Sequence, residues 1–428
     1  MKKWFLPGLA ITLAVLLVAG VAYELVGGLR YIYAKYLVEQ GIAAERRGSG
    51  GDALADYDQA IATDPRYAIA YDRRAGLEQI EGKMKEAMAD CTEAIGINRG
   101  DFYAWYLRGR IKTILGDIKG ATGDETEAIG IKPNDGLPYI QRAEARKELG
   151  DIKGARADYD EAVTVDSTNA ATYTMRAHFE WNTGDMTGAL DDYNLAIEHN
   201  RRNISAYMGR GIVRETLGDL DGALDDGNTE ISINPHSPYG YLQRGRVELL
   251  RGDMNAAMKD YNEAVDVAPH FGSVFRSRGA AYAALREWNS ALSDFREACT
   301  ELETGQDYPR LYIYLIRART GEAQGAEKEL ESYMAARREV KPGDWTGKIA
   351  GYLLGRVTEK ELFSSVGYPD PTTLKGEMCE AWYFAGMKRV LSGESAGAGE
   401  YFKKCLETKE YDYIEYTLAQ SELKALGG

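Results

Sequence analysis

Four cysteines and four histidines are all that the 428 residues hold of the side chains most used for metal ligation and nucleophilic chemistry. Cys91, Cys299, Cys379 and Cys405 form no CxxC pair, which excludes a zinc knuckle and a thioredoxin-like redox motif. His178, His199, His236 and His270 give neither an HExxH nor an HxxxH arrangement. No GxSxG elbow, Walker loop or Rossmann glycine fingerprint following a strand is expected. Carboxylates are plentiful, but solvated helix faces account for them. No catalytic residue, metal or cofactor is therefore expected. Basic excess is missing as well: the net charge is -14 and the pI about 5.0. That excludes a nucleic-acid partner and suits a self-repelling surface.

Long apolar runs are absent except at the start of the chain. Lys2 and Lys3 precede an uncharged run from Trp4 to Tyr23, about the length that spans a bilayer core. A signal peptide cut after Ala22, in Gly20-Val21-Ala22, is one reading. The run exceeds the usual signal core, which favours an uncleaved anchor. The two lysines place the N-terminus in the cytoplasm. Either reading sends everything after residue 28 across the membrane, into a periplasm-like space or, after cleavage, into secretion. No cysteine follows the run, which excludes lipid attachment there.

The dominant feature is self-similarity. Gly82-Lys83, Gly116-Asp117, Gly150-Asp151, Gly184-Asp185, Gly218-Asp219 and Gly252-Asp253 are spaced 34 residues apart, and Gly48 and Arg286 extend the register. Twelve residues further on, Ala60-Ile61, Ala94-Ile95, Ala128-Ile129, Ala162-Val163, Ala196-Ile197 and Ala264-Val265 recur, with Glu230-Ile231 and Ala298-Cys299 as exceptions. Pro65, Pro133, Pro235 and Pro269 close several units. An aromatic opens each first helix (Tyr71, Trp105, Tyr139, Tyr173, Tyr207, Tyr241, Phe275), and a small residue follows four later (Ala75, Gly109, Ala143, Ala177, Gly211, Gly245, Gly279). Ala53, Ala87, Ala121, Ala155, Ala189, Ala223, Ala257 and Ala291 begin the packing face of the second helices.

This pattern resembles the tetratricopeptide repeat, whose period is 34 residues. The resemblance implies an all-α fold, a right-handed superhelix (an α-solenoid) of eight tandem units over residues 29–305, behind an N-terminal transmembrane or signal helix in residues 1–28. The physics is independent of the name. Aromatic and small residues four apart share a helix face, so the small one admits the neighbouring helix and the ring fills the space beside it. Glycine ends the first helix in a left-handed turn, and proline stops the second. One hairpin buries too little apolar surface alone, so neighbours must stack.

Two positions are uniform where the family varies. Arg74, Arg108, Arg142, Arg176, Arg210, Arg244 and Arg278 stand where leucine is more usual. Asp56, Asp90, Asp124, Asp158, Asp192, Asp226, Asp260 and Asp294 recur in the second helices. Guanidinium and carboxylate match as a two-pronged pair, so these residues are expected to form a structural ladder along the stack. Some units are eroded: Glu125 and Gly227 replace the aromatic of the second helix, and Glu230 replaces its alanine. Looser packing and more flexing are expected there.

After residue 305 the strict period stops. Tyr308 to Arg337 read as a hairpin turning at Thr320-Gly321-Glu322, followed by a break at Lys341-Pro342-Gly343-Asp344-Trp345 and a helix through Gly351 to Gly355. Residues 306–376 are thus degenerate hairpins, bounded by a second break at Asp370-Pro371-Thr372. Residues 377–428 hold a final repeat, with Trp382, Gly386, Ala398, Phe402 and Cys405 at its diagnostic places, and a capping helix from Tyr411 to Leu426. Trp345 to Gly355, Glu359 to Leu362, Ala381-Trp382-Tyr383 and Tyr413-Ile414-Glu415-Tyr416 carry a resemblance to the C-terminal region of NlpI-type bacterial lipoproteins. That resemblance implies a dimer-forming periplasmic adaptor for cell-wall hydrolases and a processing protease. The chain departs from it in having more repeats and no lipid-modified cysteine.

In such arrays the first helices line a groove for a peptide or a partner's helix. The places facing it hold Tyr103, Tyr106, Arg110, Met175, His178, Trp181, Met208, Tyr239, Leu242 and Arg246, residue types enriched at interface hot spots. His178 beside Trp181 reads as packed or solvated, and His236 and His270 as solvent-facing loop residues. Cys91 and Cys405 read as small apolar fillers. An oxidising compartment also admits a disulfide such as Cys379–Cys405, across the two helices of one hairpin. The expectation is a non-catalytic scaffold for other proteins or peptide segments, attached to a membrane through residues 4–23, with homodimerisation possible. A structural subunit of a secretion or pilus-type assembly is the alternative.

Overall fold

The structure, a computed structural model, describes residues 27–302, 305–337, 343–367, 373–411 and 413–427, and all regular structure among them is helical. The apolar run Trp4–Tyr23 and the breaks at Lys341-Pro342 and Asp370–Thr372 lie outside the described residues. No described helix is long and apolar enough to cross a membrane.

Helix α1 runs through 27–46 and α2 is Gly50–Thr63. Helices then alternate in the 34-residue register: α3 (Ala68–Ile80), α4 (Met84–Ile97), α5 (Phe102–Ile114), α6 (Ile118–Ile131), α7 (Gly136–Glu148), α8 (Ile152–Val165), α9 (Ala170–Asn182) and α10 (Met186–His199). The register continues through α11 (Ile204–Thr216), α12 (Leu220–Ile233), α13 (Pro238–Arg251), α14 (Met254–Val267), α15 (Gly272–Ala284) and α16 (Trp288–Glu301). Beyond it come α17 (Asp307–Arg319), α18 (Ala323–Ala336), α19 (Trp345–Leu353), α20 (Glu359–Ser364), α21 (Leu374–Ser392), α22 (Ser395–Glu407) and α23 (Ile414–Ala425). The chain divides into two compact units, Met1–Phe179 and Glu180–Gly428.

Local chemistry explains where each helix stops and starts. The register glycines take left-handed φ, for example 80° at Gly82 and 84° at Gly252, a region that costs a side-chain-bearing residue energy. The aspartate after the glycine then caps the second helix. Asp117, Asp151, Asp219 and Asp253 accept a hydrogen bond from the amide three residues on, at 2.9–3.1 Å, satisfying one orphan donor of the first turn. Lys83 and Glu287 stand at the same place and make no side-chain cap. Five opening aromatics tie their helices to the preceding loop: Tyr71, Tyr139 and Tyr241 donate to the carbonyls of Pro65, Pro133 and Pro235, Tyr173 to that of Ser167 and Trp105 to that of Arg99. The tyrosines thus anchor by their hydroxyls as well as by packing.

In the first unit the interior is built from alanines and rings. Ala75, Ala87, Ala94, Ala143, Ala155 and Ala162 are fully buried, with Tyr57 and Tyr159 filling the space between helices. In the second unit the small positions do the same: a Cβ on Gly245 or Gly279 would press on Tyr261 or Phe295. Helix α17 differs from the repeats before it. Six consecutive residues, Leu311 to Ile316, are buried, so this helix is enclosed on every side. One large cluster surrounds it, joining α15 and α16 to α19, α21, α22 and α23.

One expectation needs correction, and two places need a closer description. The last helix begins at Ile414, not Tyr411, and does more than cap the final hairpin: besides α21 and α22 it packs on α15, with Ser421 Oγ donating to the Ala284 carbonyl at 2.6 Å. The letters GxSxG do occur, at Gly393-Glu394-Ser395-Ala396-Gly397, but they join α21 to α22 with no strand before them, so they make no nucleophile elbow. Finally, Glu125 and Glu230 occupy the eroded places as buried carboxyls. Burial pushes Glu125 up to about 9 and Glu230 up to about 8, and the oxygens of both lack hydrogen-bond partners.

Candidate partner-binding surface

The arginines and aspartates set the spacing of the hairpins, and through it the face that the first helices present. Arg74, Arg108, Arg142, Arg210, Arg244 and Arg278 each place Nε and Nη2 on both carboxylate oxygens of the aspartate 16 residues later: Asp90, Asp124, Asp158, Asp226, Asp260 and Asp294. The third guanidinium nitrogen turns the other way. It reaches a polar side chain 16 residues earlier, on the preceding hairpin: Asp58, Thr92, Thr126, Asn194, Asn228 and Asn262. Arg176 makes the same backward contact to Asp160 at 2.9 Å, and Asp192 is buried.

Each of these six arginines is thus a three-pronged staple between consecutive hairpins. The aspartates are almost wholly buried, whereas the backward partners Asp58 and Asp160 are exposed. Arg74, Arg142, Arg210 and Arg278 also lie over the ring three residues before them, at 5.4–5.8 Å, a further attraction for a planar cation. Lys112, Arg146 and Arg214 add a second cation to Asp124, Asp158 and Asp226. Asp56 stands outside the ladder because residue 40 is glutamine. The series ends at Asp294, since Tyr312 occupies the next arginine place.

In the first unit, Tyr103, Tyr106 and Arg110 share helix α5. Tyr103 is 43% exposed, and its hydroxyl rests where Gly76 has no side chain. Tyr106 stacks on Phe102 with centroids 6.0 Å apart, and Arg110 lies over Tyr106 at 5.8 Å. Asp72, also buried, stands near this cluster. Burial and the Asp101 carboxylate push it up to about 8. Met175 leans on the core around Tyr159 and is half-buried. His178 is half-buried too, and burial holds its imidazole below the ordinary value.

In the second unit Trp181 is half-buried, while Met208, Tyr239, Leu242 and Arg246 come together on a cavity of about 230 Å³. Tyr239 is 51% exposed and meets Phe271 edge-on at 5.5 Å. Arg246 pairs with the buried Glu215 at 2.8 Å, so its charge is already partly answered. The floor includes Gln243, whose amide fits because Gly211 lacks a Cβ and whose Oε1 is buried without a partner. Ser273, Ser277 and Arg276 line one side. Tyr411, Tyr413, Ile414 and Thr417 form the far wall.

That far wall belongs to the C-terminal segment, and buried acids hold it. Glu415 of α23 accepts from Tyr312, and Glu380 of α21 accepts from Trp345 and, at 3.1 Å, from Tyr308. Desolvation raises both carboxyls above their ordinary value, Glu380 well above it, and the Glu415 charge adds to the rise at Glu380. At the other end of α23, Glu422 receives Arg286 and Arg319. Arg286 sits at the register glycine's place with φ 63°. Its tie to Glu422 explains why a strained arginine stands there.

Spacing alone could have found the backward prong, because the residue two after each ladder aspartate is short and polar from Asp58 to Asn262. The wall at Tyr411–Thr417 had no such signal, since it approaches residues more than 130 positions earlier. Among the described residues no group of three His, Cys, Asp or Glu side chains could hold a metal ion.

Two family models, both of the tetratricopeptide repeat, match residues 38–102 and 239–271. No curated protein matches the chain. Among solved structures, the chain is similar to the MamA protein, at 22% identity over 39% of this chain and 92% of that one, with a TM-score of 0.36. It is similar to pilF of Pseudomonas aeruginosa, at 15% identity over 49% and 96%, with a TM-score of 0.44. A tetratricopeptide repeat protein of Parabacteroides merdae shows 17% identity over 66% and 98%, with a TM-score of 0.40. Residues 38–102 and 239–271 thus match the tetratricopeptide repeat, and such repeats indicate a protein-protein interaction scaffold.

Proposed function

We propose that this chain is a non-catalytic adaptor, anchored in a membrane by residues 4–23 and exposed on the extracytoplasmic side, that recruits envelope proteins such as cell-wall hydrolases or proteases. The surface around Met208, Tyr239 and Leu242 carries the reading. It combines a half-exposed aromatic, apolar side chains and a cavity of about 230 Å³ on the face of the first helices. Aromatic and methionine anchors beside a pocket are what a docking segment requires. The uncharged run after Lys2 and Lys3 supports the location. The resemblance of residues 305–425 to NlpI-type lipoproteins supports the partner class and admits a homodimer.

A photoreactive residue at Tyr239 of the full chain, activated in living cells, tests the proposal. Capture of secreted or periplasmic proteins, lost in a Met208→Ala/Leu242→Ala variant, is the expected result. Capture of cytosolic chaperones alone would overturn it. Co-purification in a fixed-stoichiometry membrane complex would instead favour a structural subunit of a secretion or pilus-type assembly.

A further inference from the structure

Cys379 and Cys405 are the two cysteines of the last hairpin, one on α21 and one on α22. Their sulfur atoms lie 3.2 Å apart and both side chains are wholly buried. The close approach of the two helices has a local cause. Gly386 leaves room for the ring of Phe402, against which any Cβ would collide, and Phe402 lies one turn before Cys405. Cys405 also points toward the Glu415 carbonyl, at 3.8 Å, so the pair sits directly beneath the first turn of α23.

We propose that Cys379 and Cys405 form an intrachain disulfide that locks the last hairpin under the C-terminal helix. A disulfide needs the sulfurs to close to about 2.05 Å, about 1.2 Å nearer than they stand. Cys91 lies in α4 and Cys299 in α16, on other hairpins, and no sulfur contact involves either among the described residues. Once buried, Cys405 is a poor nucleophile, because the neighbouring Cys379 sulfur and desolvation both hold it in its protonated form. The bond therefore forms while the hairpin is open, by exchange with a small-molecule disulfide. One cysteine thiolate attacks that disulfide, forms a mixed disulfide and releases one thiol. The second thiolate then attacks the protein-bound sulfur, closes the Cys379–Cys405 bond and releases the other thiol. The protein loses two protons and two electrons, and the external disulfide is reduced to two thiols.

The full chain in mild detergent, opened with urea and dithiothreitol and then refolded in a reduced and oxidised glutathione buffer, provides the test. After alkylation and proteolysis, the Cys379 and Cys405 peptides should appear linked, about 2 Da lighter than the sum of the free forms. Cys91 and Cys299 should be alkylated. The linked form should melt several degrees higher than the reduced chain, and Cys91→Ser/Cys299→Ser should preserve both the link and the shift. Cys379→Ser should abolish them while leaving the helical circular dichroism intact. Alkylation of all four cysteines after refolding, or equal linkage to Cys91 or Cys299, would overturn the proposal.

Discussion

The regular hairpins and the region after residue 305 are both helical, yet they hold together by different means. From α3 to α16 the buried residues are mostly alanine with one ring per interface, and a repeated ion pair sets the spacing. After α17 the ion-pair ladder is gone. Leu311, Ile313, Leu315, Ile349, Phe384 and Phe402 make a continuous apolar core in its place. A repeat whose interior is alanine contributes little hydrophobic surface per residue, so directional bonds fix its register. A region with a large core needs no ladder, and its buried carboxyls Glu380, Glu415 and Glu422 each take a side-chain donor from α17.

The largest expected effect breaks the ladder at a buried partner. Asp158→Ala leaves Arg142 and Arg146 without their carboxylate and should cost about 3–5 kcal/mol, read by urea unfolding followed by circular dichroism. Asp160→Ala, which removes the exposed backward partner of the next arginine, Arg176, should cost no more than about 1 kcal/mol. Equal losses in the two variants would mean that burial is not what gives the ladder its strength. In the other region Leu311→Ala should cost about 2–5 kcal/mol, and hydrogen exchange should accelerate in α17 and α23 together while α3 to α8 are unchanged.

A smaller effect concerns the carboxyl that stands where a ring belongs. Glu125 is raised from 4.5 to about 9, so its favourable contribution is complete below about pH 4.5 and is lost as pH rises toward about 9. Glu125→Gln should flatten that dependence and stabilise the chain by about 1–3 kcal/mol at pH 8. An unchanged pH profile would show that the charge is solvated. Removing a cap by Asp151→Ala should cost about 1 kcal/mol, whereas Lys83→Ala, at the uncapped equivalent, should be near neutral. Arg286→Gly has the smallest net effect, because relief of a left-handed φ offsets loss of the Glu422 pair. Its sharper readout is faster exchange in α23.

Much of this was legible in the residues. A 34-residue register of glycine, aromatic and alanine fixes where helices begin and end, because each of those types has one conformational or packing reason to recur. The spacing of arginine and aspartate was equally plain. The cap made by each aspartate required geometry, whereas the backward prong and the exclusion of Asp56 could have been found from spacing alone. The candidate surface was half visible: Met208, Tyr239, Leu242 and Arg246 do converge, but Glu215, Gln243 and the Tyr411–Thr417 wall come from helix faces or distant segments that periodicity does not address. Residues after 305 break the period, so their contacts with α15 left no local trace.

The staple has a consequence for how such a chain changes length. Six of the arginines look 16 residues forward for a carboxylate and 16 residues back for a hydroxyl, amide or acid, and the register between arginines is 34. Gain or loss of a whole repeat leaves every arginine with acceptors on both sides, because Asp58, Thr92, Asn194 and their equivalents all accept the same donor. Gain or loss of half a repeat strands a buried aspartate. Within each unit, length therefore changes by whole repeats, since only a whole repeat keeps every buried aspartate matched to a guanidinium.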